Sequence, residues 1–362
     1  MFKVKLARNR DRPVFEAETE ENRRGSSIGM VPSFYTTPAG DLVTDMDFQY
    51  PWSFGDKSDS ERGNCKVKKM FAVVSVVLLV CLFAGAAFAH GHEKEQKNGI
   101  LMVAFGTSVP EARVAIDNMV TAASKAFPDV EVRLSFTSNI IRRKIAKEQG
   151  IHIDTPLTAL AKMQDEGFTN VVVQPTHVMP GEEYNEIAEV VAALQTVPGK
   201  YGFSRLVLGI PLLNTVDDYK AMAGILHRAY GKHTRNRGAV VLMGHGTPHP
   251  ANSTYSQLQM VLNKYAPRFV VGTVEGFPEL EDVQNRLSHM NASRITLVPC
   301  MIVAGDHAMN DMAGADDPES WINILKADGY KTGAVLKGLG ELEEIPLLMV
   351  EHLRASAREA FE

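Results

Sequence analysis

From Gly99 to the C-terminus, short runs of almost unbroken apolar residues alternate with segments of helical period. "ILMVAF" (100–105), "VEVRLSF" (130–136), "NVVVQP" (170–175) and "RLVLG" (205–209) have the length and composition of strands. Between them lie a helix to about Phe127, helices near 139–149 and 156–166, one beginning near Gly181 and one over 216–229. Strands that are apolar on both faces need cover on both faces, which is the condition of parallel strands joined by helices. Ser108, Pro110 and Glu111 read as the start of the first helix: a cap, a first-turn proline and a carboxylate three residues after the cap.

The pattern then restarts. "AVVLMG" (239–244), "RFVVGTVEG" (268–276), "RITLVPC" (294–300) and "TGAVLKG" (332–338) read as strands, with helices over 252–265 and 279–290 and a last one from Glu341. "ILMVAFGTS" aligns with "VVLMGHGTP", which sets Phe105 opposite His245. "VVVQPTHVMPGEEYNE" aligns with "ITLVPCMIVAGDHAMND", which sets Glu183 opposite His307. The expected architecture is α/β: two similar domains, 98–234 and 238–362, each a parallel sheet flanked by helices, facing a cleft and joined by "YGKHTRNRG" (230–238). Crossovers between parallel strands are expected to be right-handed.

The first 89 residues read differently. Residues 1–65 are polar and charged, without sustained period. Lys66–Lys69 ("KVKK") then precede the uncharged run Met70–Ala89, which ends in Ala87-Phe88-Ala89. A positive start, an apolar centre and small residues at the end make a cleaved secretory signal peptide over 66–89, with a membrane anchor as the alternative. The 1–65 stretch is then expected to be a non-native or disordered extension, with the natural start near Val67 or Met70 and a periplasmic mature protein. Cys65 and Cys81 fall before the cut, leaving Cys300 alone and no internal disulfide. His90 and His92 would sit in a solvated terminus. A net charge of −5 with no basic run argues against nucleic acid as a partner.

In open parallel sheets, ligands bind beyond the carboxyl ends of the strands. His245, between Gly244 and Gly246, ends the first strand of the second half; Glu275 ends the second; His307 follows the third. Two imidazoles and a carboxylate suit a first-row divalent cation such as Co²⁺, Fe²⁺ or Zn²⁺. Each also has a plain structural reading: a backbone hydrogen bond for His245, a solvated loop for His307, a helix-start carboxylate for Glu275. Gly244 and Gly246 favour function, since bare α-carbons on either side of the ring leave room for a bulky ligand. Glu183 would face the same cleft by pseudo-symmetry. His177 either lines the cleft or makes a structural hydrogen bond, and His249 is expected at the surface or behind the ligands. Met179, Met301 and Met309 suit either core packing or contact with a flat ring. Phosphate-cradling glycine loops and the G-x-S-x-G elbow are absent from the sequence.

"GILMVAFGTS", "PTHVMPGEEY", "LMGHGTPHPAN" and "GDHAMNDM" resemble the CbiK-type cobaltochelatases, class II chelatases that insert Co²⁺ into sirohydrochlorin and are related in fold to ferrochelatases. The resemblance runs from about Gly99 to the C-terminus. It implies two Rossmann-like halves with the tetrapyrrole between them, metal on the residues matching His245, His307 and Glu275, and a homo-oligomer. It further implies that apolar walls hold and bend the macrocycle, and Glu183, His177 and Phe105 are expected to border the bound tetrapyrrole from their places at the strand ends. An export signal departs from a cytoplasmic biosynthetic role and leaves three readings open. They are sirohydrochlorin chelatase with Co²⁺ or Fe²⁺, a protoporphyrin ferrochelatase, and a periplasmic metal- or haem-binding protein without turnover.

Overall fold

The computed structural model describes residues 96–362, together with a short antiparallel pairing of Tyr35–Thr36 with Leu42–Val43. Apart from that pairing, the proposed extension and the signal peptide, with Cys65, Cys81, His90 and His92, lie outside the described residues. Among the described residues no helix is long and apolar enough to cross a membrane.

Strands Asn98–Ala104 (β1), Glu131–Phe136 (β2), Asn170–Pro175 (β3) and Arg205–Leu208 (β4) form an all-parallel sheet of order β2-β1-β3-β4. Strands Gly238–Gly244 (β5), Phe269–Thr273 (β6), Arg294–Pro299 (β7) and Lys331–Ala334 (β8) form a second, of order β6-β5-β7-β8. The repeat expected from sequence is therefore a repeat of topology, and it extends to register. Val103 pairs with Ser135 and Pro175, as Met243 pairs with Gly272 and Pro299. Just beyond, Thr176 N–H donates to Val103 O (2.8 Å) and Cys300 N–H to Met243 O (2.7 Å). The central strands are the driest: Ile100–Val103 and Ala239–Met243 are fully buried, as two-sided apolar runs require.

The helices are Arg113–Ala126 (α1), Asn139–Gln149 (α2), Pro156–Asp165 (α3), Glu182–Gln195 (α4), Val216–Tyr230 (α5), Ser253–Tyr265 (α6), Leu280–His289 (α7), Trp321–Ala327 (α8) and Glu344–Phe361 (α9). The first begins later than expected. Ser108 caps nothing; instead Thr107 Oγ1 accepts from Val109 N–H (3.1 Å), and this local turn takes up the backbone before the helix starts. β6 stops at Thr273, short of 276, because Thr273 N–H turns to Pro278 O (2.7 Å). β8 is likewise shorter than expected, and a 3₁₀ turn at Leu339–Glu341 precedes α9.

Each sheet has a core of its own on one face, around Val241 and Leu297 in the second half and Leu101 and Val173 in the first, and on the other face the two sheets share one. Ile100, Met102 and Val172 of the first, Val240, Leu242 and Val271 of the second, and Ile345, Met349 and Leu353 of α9 belong to one buried cluster. The C-terminal helix crosses back to pack on β3, β4 and α1. A buried pair, His352 Nε2 to Asp218 Oδ1 at 2.9 Å, pins it to α5. Burial alone would raise the Asp218 pKa, but hydrogen bonds from Thr215 and His352 hold it below its usual range. The described residues 96–362 accordingly form one compact unit.

Candidate metal centre

In each sheet the chain leaves the first strand to one side and returns on the other, so the topological switch lies at the carboxyl ends of the first and third strands. His245 follows β5 and His307 follows β7, which places the two imidazoles on either side of that switch. Their ring centroids are 4.5 Å apart with planes at 84°. Glu275 Oε2 approaches His245 Nδ1 at 3.8 Å. One ligand atom from each of His245, Glu275 and His307 lies within 4.8 Å of the others. Among the described residues this is the group of His, Cys, Asp and Glu close enough to share a cation.

Backbone contacts make this convergence. Val274 N–H donates to Gly244 O (3.1 Å) and Glu275 N–H to His245 O (2.8 Å), so the Glu275 loop continues to pair with the His245 loop after β6 has ended. Asn252 stitches the same two loops, accepting from Thr247 N–H (3.1 Å) and donating to Phe277 O (2.7 Å). His307 stands at the start of a short helical segment that continues as a π turn at Ala308–Met312, a geometry often found at functional sites.

The glycines flanking His245 turn out to serve packing, not ligand access. A Cβ on Gly244 would meet the Tyr255 ring at 2.2 Å. A Cβ on Gly246 would meet Gly276 N at 2.6 Å and the Glu275 carbonyl carbon at 2.7 Å, and Gly246 sits at φ +84°. The space that the sequence assigned to a ligand is filled by the ring beneath and the carboxylate loop alongside. Gly106, which follows Phe105, has φ +105° and lies against Phe136, so the strand-end bend is repeated in the first half.

Hydrogen bonding fixes both imidazole tautomers. The Gly246 carbonyl lies 2.8 Å from His245 Nδ1 and can only accept, so in the neutral ring the proton is on Nδ1 and the lone pair on Nε2. His307 Nδ1 is likewise 2.7 Å from Asp311 Oδ2. The side chains of His245 and Glu275 are about half exposed and His307 about one-third, which leaves the centre open to an incoming ion.

The other predicted residues divide. Phe105 is 46 % exposed just past β1. Glu183 sits in the first turn of α4, partly buried, near enough to Tyr255 for its charge to reach that hydroxyl. Burial raises the Tyr255 pKa well above its ordinary value, with Cys300 and Glu183 adding to the effect. His177 makes no structural hydrogen bond: both ring nitrogens are covered and lack a partner, and burial pushes its pKa down to about 4. Met179 and Met301 pack into core clusters, whereas Met309, two residues from His307, is 46 % exposed. His249 is not free surface: Nδ1 accepts from Ala251 N–H, and Nε2 lies 3.1 Å from the Asn185 amide of the first half. Asn252, Tyr255, Asn185 and Asp311 went unnoticed in the sequence. Only Asp311 carried a signal there, its i,i+4 spacing from His307.

A family model described as "Cobalt chelatase (CbiK)" matches residues 98–358. The chain belongs to that family. It is 37 % identical over 272 residues to the sirohydrochlorin cobaltochelatase of Salmonella typhimurium, covering 74 % of this chain and 98 % of that protein. It is 35 % identical over 265 residues to sirohydrochlorin cobaltochelatase CbiKC of Nitratidesulfovibrio vulgaris, covering 73 % and 92 %. Among solved structures its fold is similar to SirB from Bacillus subtilis with Fe³⁺, at TM-score 0.50 and 17 % identity over 74 % of this chain and 98 % of that one. A two-sheet fold within the CbiK family is thus established independently of the site.

Two outcomes are expected. Gly246→Ala should push the Glu275 loop off His245, costing about 1–3 kcal/mol of stability and weakening cobalt binding. A parent-like metal titration would show that the loop contact does not set the site. Because the folded His177 pKa lies below its unfolded value, stability should fall as pH drops from about 6.5 toward 4, where the unfolded chain takes up the proton first. His177→Gln should flatten that acid loss by at most about 3 kcal/mol, read from denaturation at pH 7 and pH 4.5.

Proposed function

We propose that this chain inserts Co²⁺ into sirohydrochlorin, the activity named for its relatives, and that His245, Glu275 and His307 hold the incoming metal. The observation that carries the site assignment is the convergence of these three side chains on one point at the carboxyl rim. Metal enters as the cation and two pyrrole N–H protons leave, so charge is balanced within the macrocycle. With Nδ1 of each ring hydrogen-bonded to an acceptor, the Nε2 lone pairs are the donors this reading assigns to the metal, and neutral imidazole also accepts protons near neutral pH. Glu275 offsets the charge of the ion and carries protons outward from the His245 side. A planar substrate needs apolar contact as well. Phe105, Phe277 and Met309 each expose about half of their surface beyond the carboxyl ends of strands, and they are the side chains this reading assigns to that contact. Fe²⁺ is the alternative cargo, since two nitrogens and an oxygen suit either ion.

Multiple-turnover cobalt insertion, followed by the absorbance of sirohydrochlorin, tests the reading. The parent chain should process many equivalents, whereas a metal or haem carrier would stop near one. Replacement of either imidazole, His245→Ala or His307→Ala, should reduce the rate by at least about 10²-fold with the melting temperature nearly unchanged. Near-parental rates in both variants would remove these side chains from the reaction. Running protoporphyrin with Fe²⁺ in parallel separates the ferrochelatase reading.

The mature protein is further proposed to be periplasmic, released by cleavage after Ala89. Support comes from the lysines, the uncharged run and the small residues at its end. N-terminal sequencing of the exported protein should begin at His90; a start well upstream would exclude cleavage there.

A further inference from the structure

We infer that Asp311 is a positioning residue for metal capture: it fixes the His307 ring so that Nε2, not Nδ1, meets the ion. The inference rests on the metal-site reading above and adds to it a residue outside the ligand set. A carboxylate accepts hydrogen bonds and donates none, so the 2.7 Å contact places the proton on His307 Nδ1 and the lone pair on Nε2. His245 reaches the same state by a different route, through the carbonyl of Gly246 at 2.8 Å. Both imidazoles therefore offer the same nitrogen, but one is oriented by its own backbone and the other depends on a side chain.

That dependence follows from where the residues sit. His245 lies in a loop clamped by Asn252 and by the Glu275 backbone, so little freedom is left to its ring. His307 begins a short helical segment, and its side chain has Asp311 as its hydrogen-bond partner. The partner is four residues on, across the π turn Ala308–Met312, and its side chain is 45 % exposed. Without Asp311 the ring would rotate and exchange tautomers freely in water, and part of the population would present the protonated nitrogen to the metal. Partners of this kind around metal-bound histidines are typically worth 10–100-fold in metal affinity.

The test uses the full chain. Co²⁺ alone is titrated by its visible absorption into the parent, Asp311→Ala and Asp311→Asn. The alanine variant should bind about 10–100-fold more weakly, and the asparagine variant, which keeps a neutral acceptor, should recover part of the loss. The Michaelis constant for sirohydrochlorin should not move, which separates metal positioning from general damage to the cleft. In the parent with ¹⁵N-labelled histidine, His307 should appear as the Nδ1–H tautomer, and in the alanine variant as a mixture. Affinity within twofold of the parent in Asp311→Ala, or a predominantly Nε2–H His307 in the parent, would overturn the inference. Should the alanine variant fail to fold, the asparagine titration and the parental tautomer still decide it. Absence of cobalt binding by the parent would instead strike the metal-site reading, leaving the tautomer measurement to judge Asp311 by itself.

Discussion

The candidate site depends on one short backbone contact: Glu275 N–H donating to His245 O at 2.8 Å, over a glycine that has no side chain to block it. Two parallel strands end side by side, and ordinarily their loops would part. Here the β6 loop keeps pairing with the β5 loop for two more residues, because Gly246 lets the chains close to a distance that any Cβ would prevent. That approach brings a carboxylate beside an imidazole. The second imidazole arrives because parallel topology puts the end of β7 next to the end of β5. The ligand set is thus a consequence of strand order plus one permitted close approach.

The rim rests in turn on a core that the two sheets share. Val303, in the loop leading to His307, packs against Ala104, Phe136 and Ile145 of the first half. The C-terminal helix closes over β3 and β4 and is pinned by the His352–Asp218 pair. Rims carried on two sheets that share one buried cluster keep their separation more closely than rims on independent domains would.

Much of this was legible in the residues. The parallel sheets could be anticipated because unbroken apolar runs joined by helices call for parallel strands, and the repeat of "FGT" in "HGT" marked the pseudo-equivalence of Phe105 and His245. His245, Glu275 and His307 could be collected in advance because each stands near the carboxyl end of a strand, and position along a strand is a sequence property. What could not be read was who fills space. The glycines beside His245 suggested room for a ligand, whereas Tyr255 and the Glu275 loop occupy that room. His177 suggested a hydrogen bond, but whether a partner lies within reach depends on packing between distant segments. The same is true of α9, whose amphipathic pattern is satisfied by either sheet and which in fact covers the first.

The two halves share topology, register and the positive-φ glycine after the first strand, yet their rims differ in chemistry. One presents imidazole where the other presents phenyl, at His245 and Phe105, and imidazole where the other presents a carboxylate, at His307 and Glu183. A macrocycle taking up a metal must meet the donors that deliver the ion on one face, and in the proposed site His245, Glu275 and His307 supply them from the second half alone. Placing a full ligand set on each half would put two strong metal sites on one substrate and hold the ion back from the pyrrole nitrogens. In the proposed site the metal donors are thus confined to one rim of a duplicated frame.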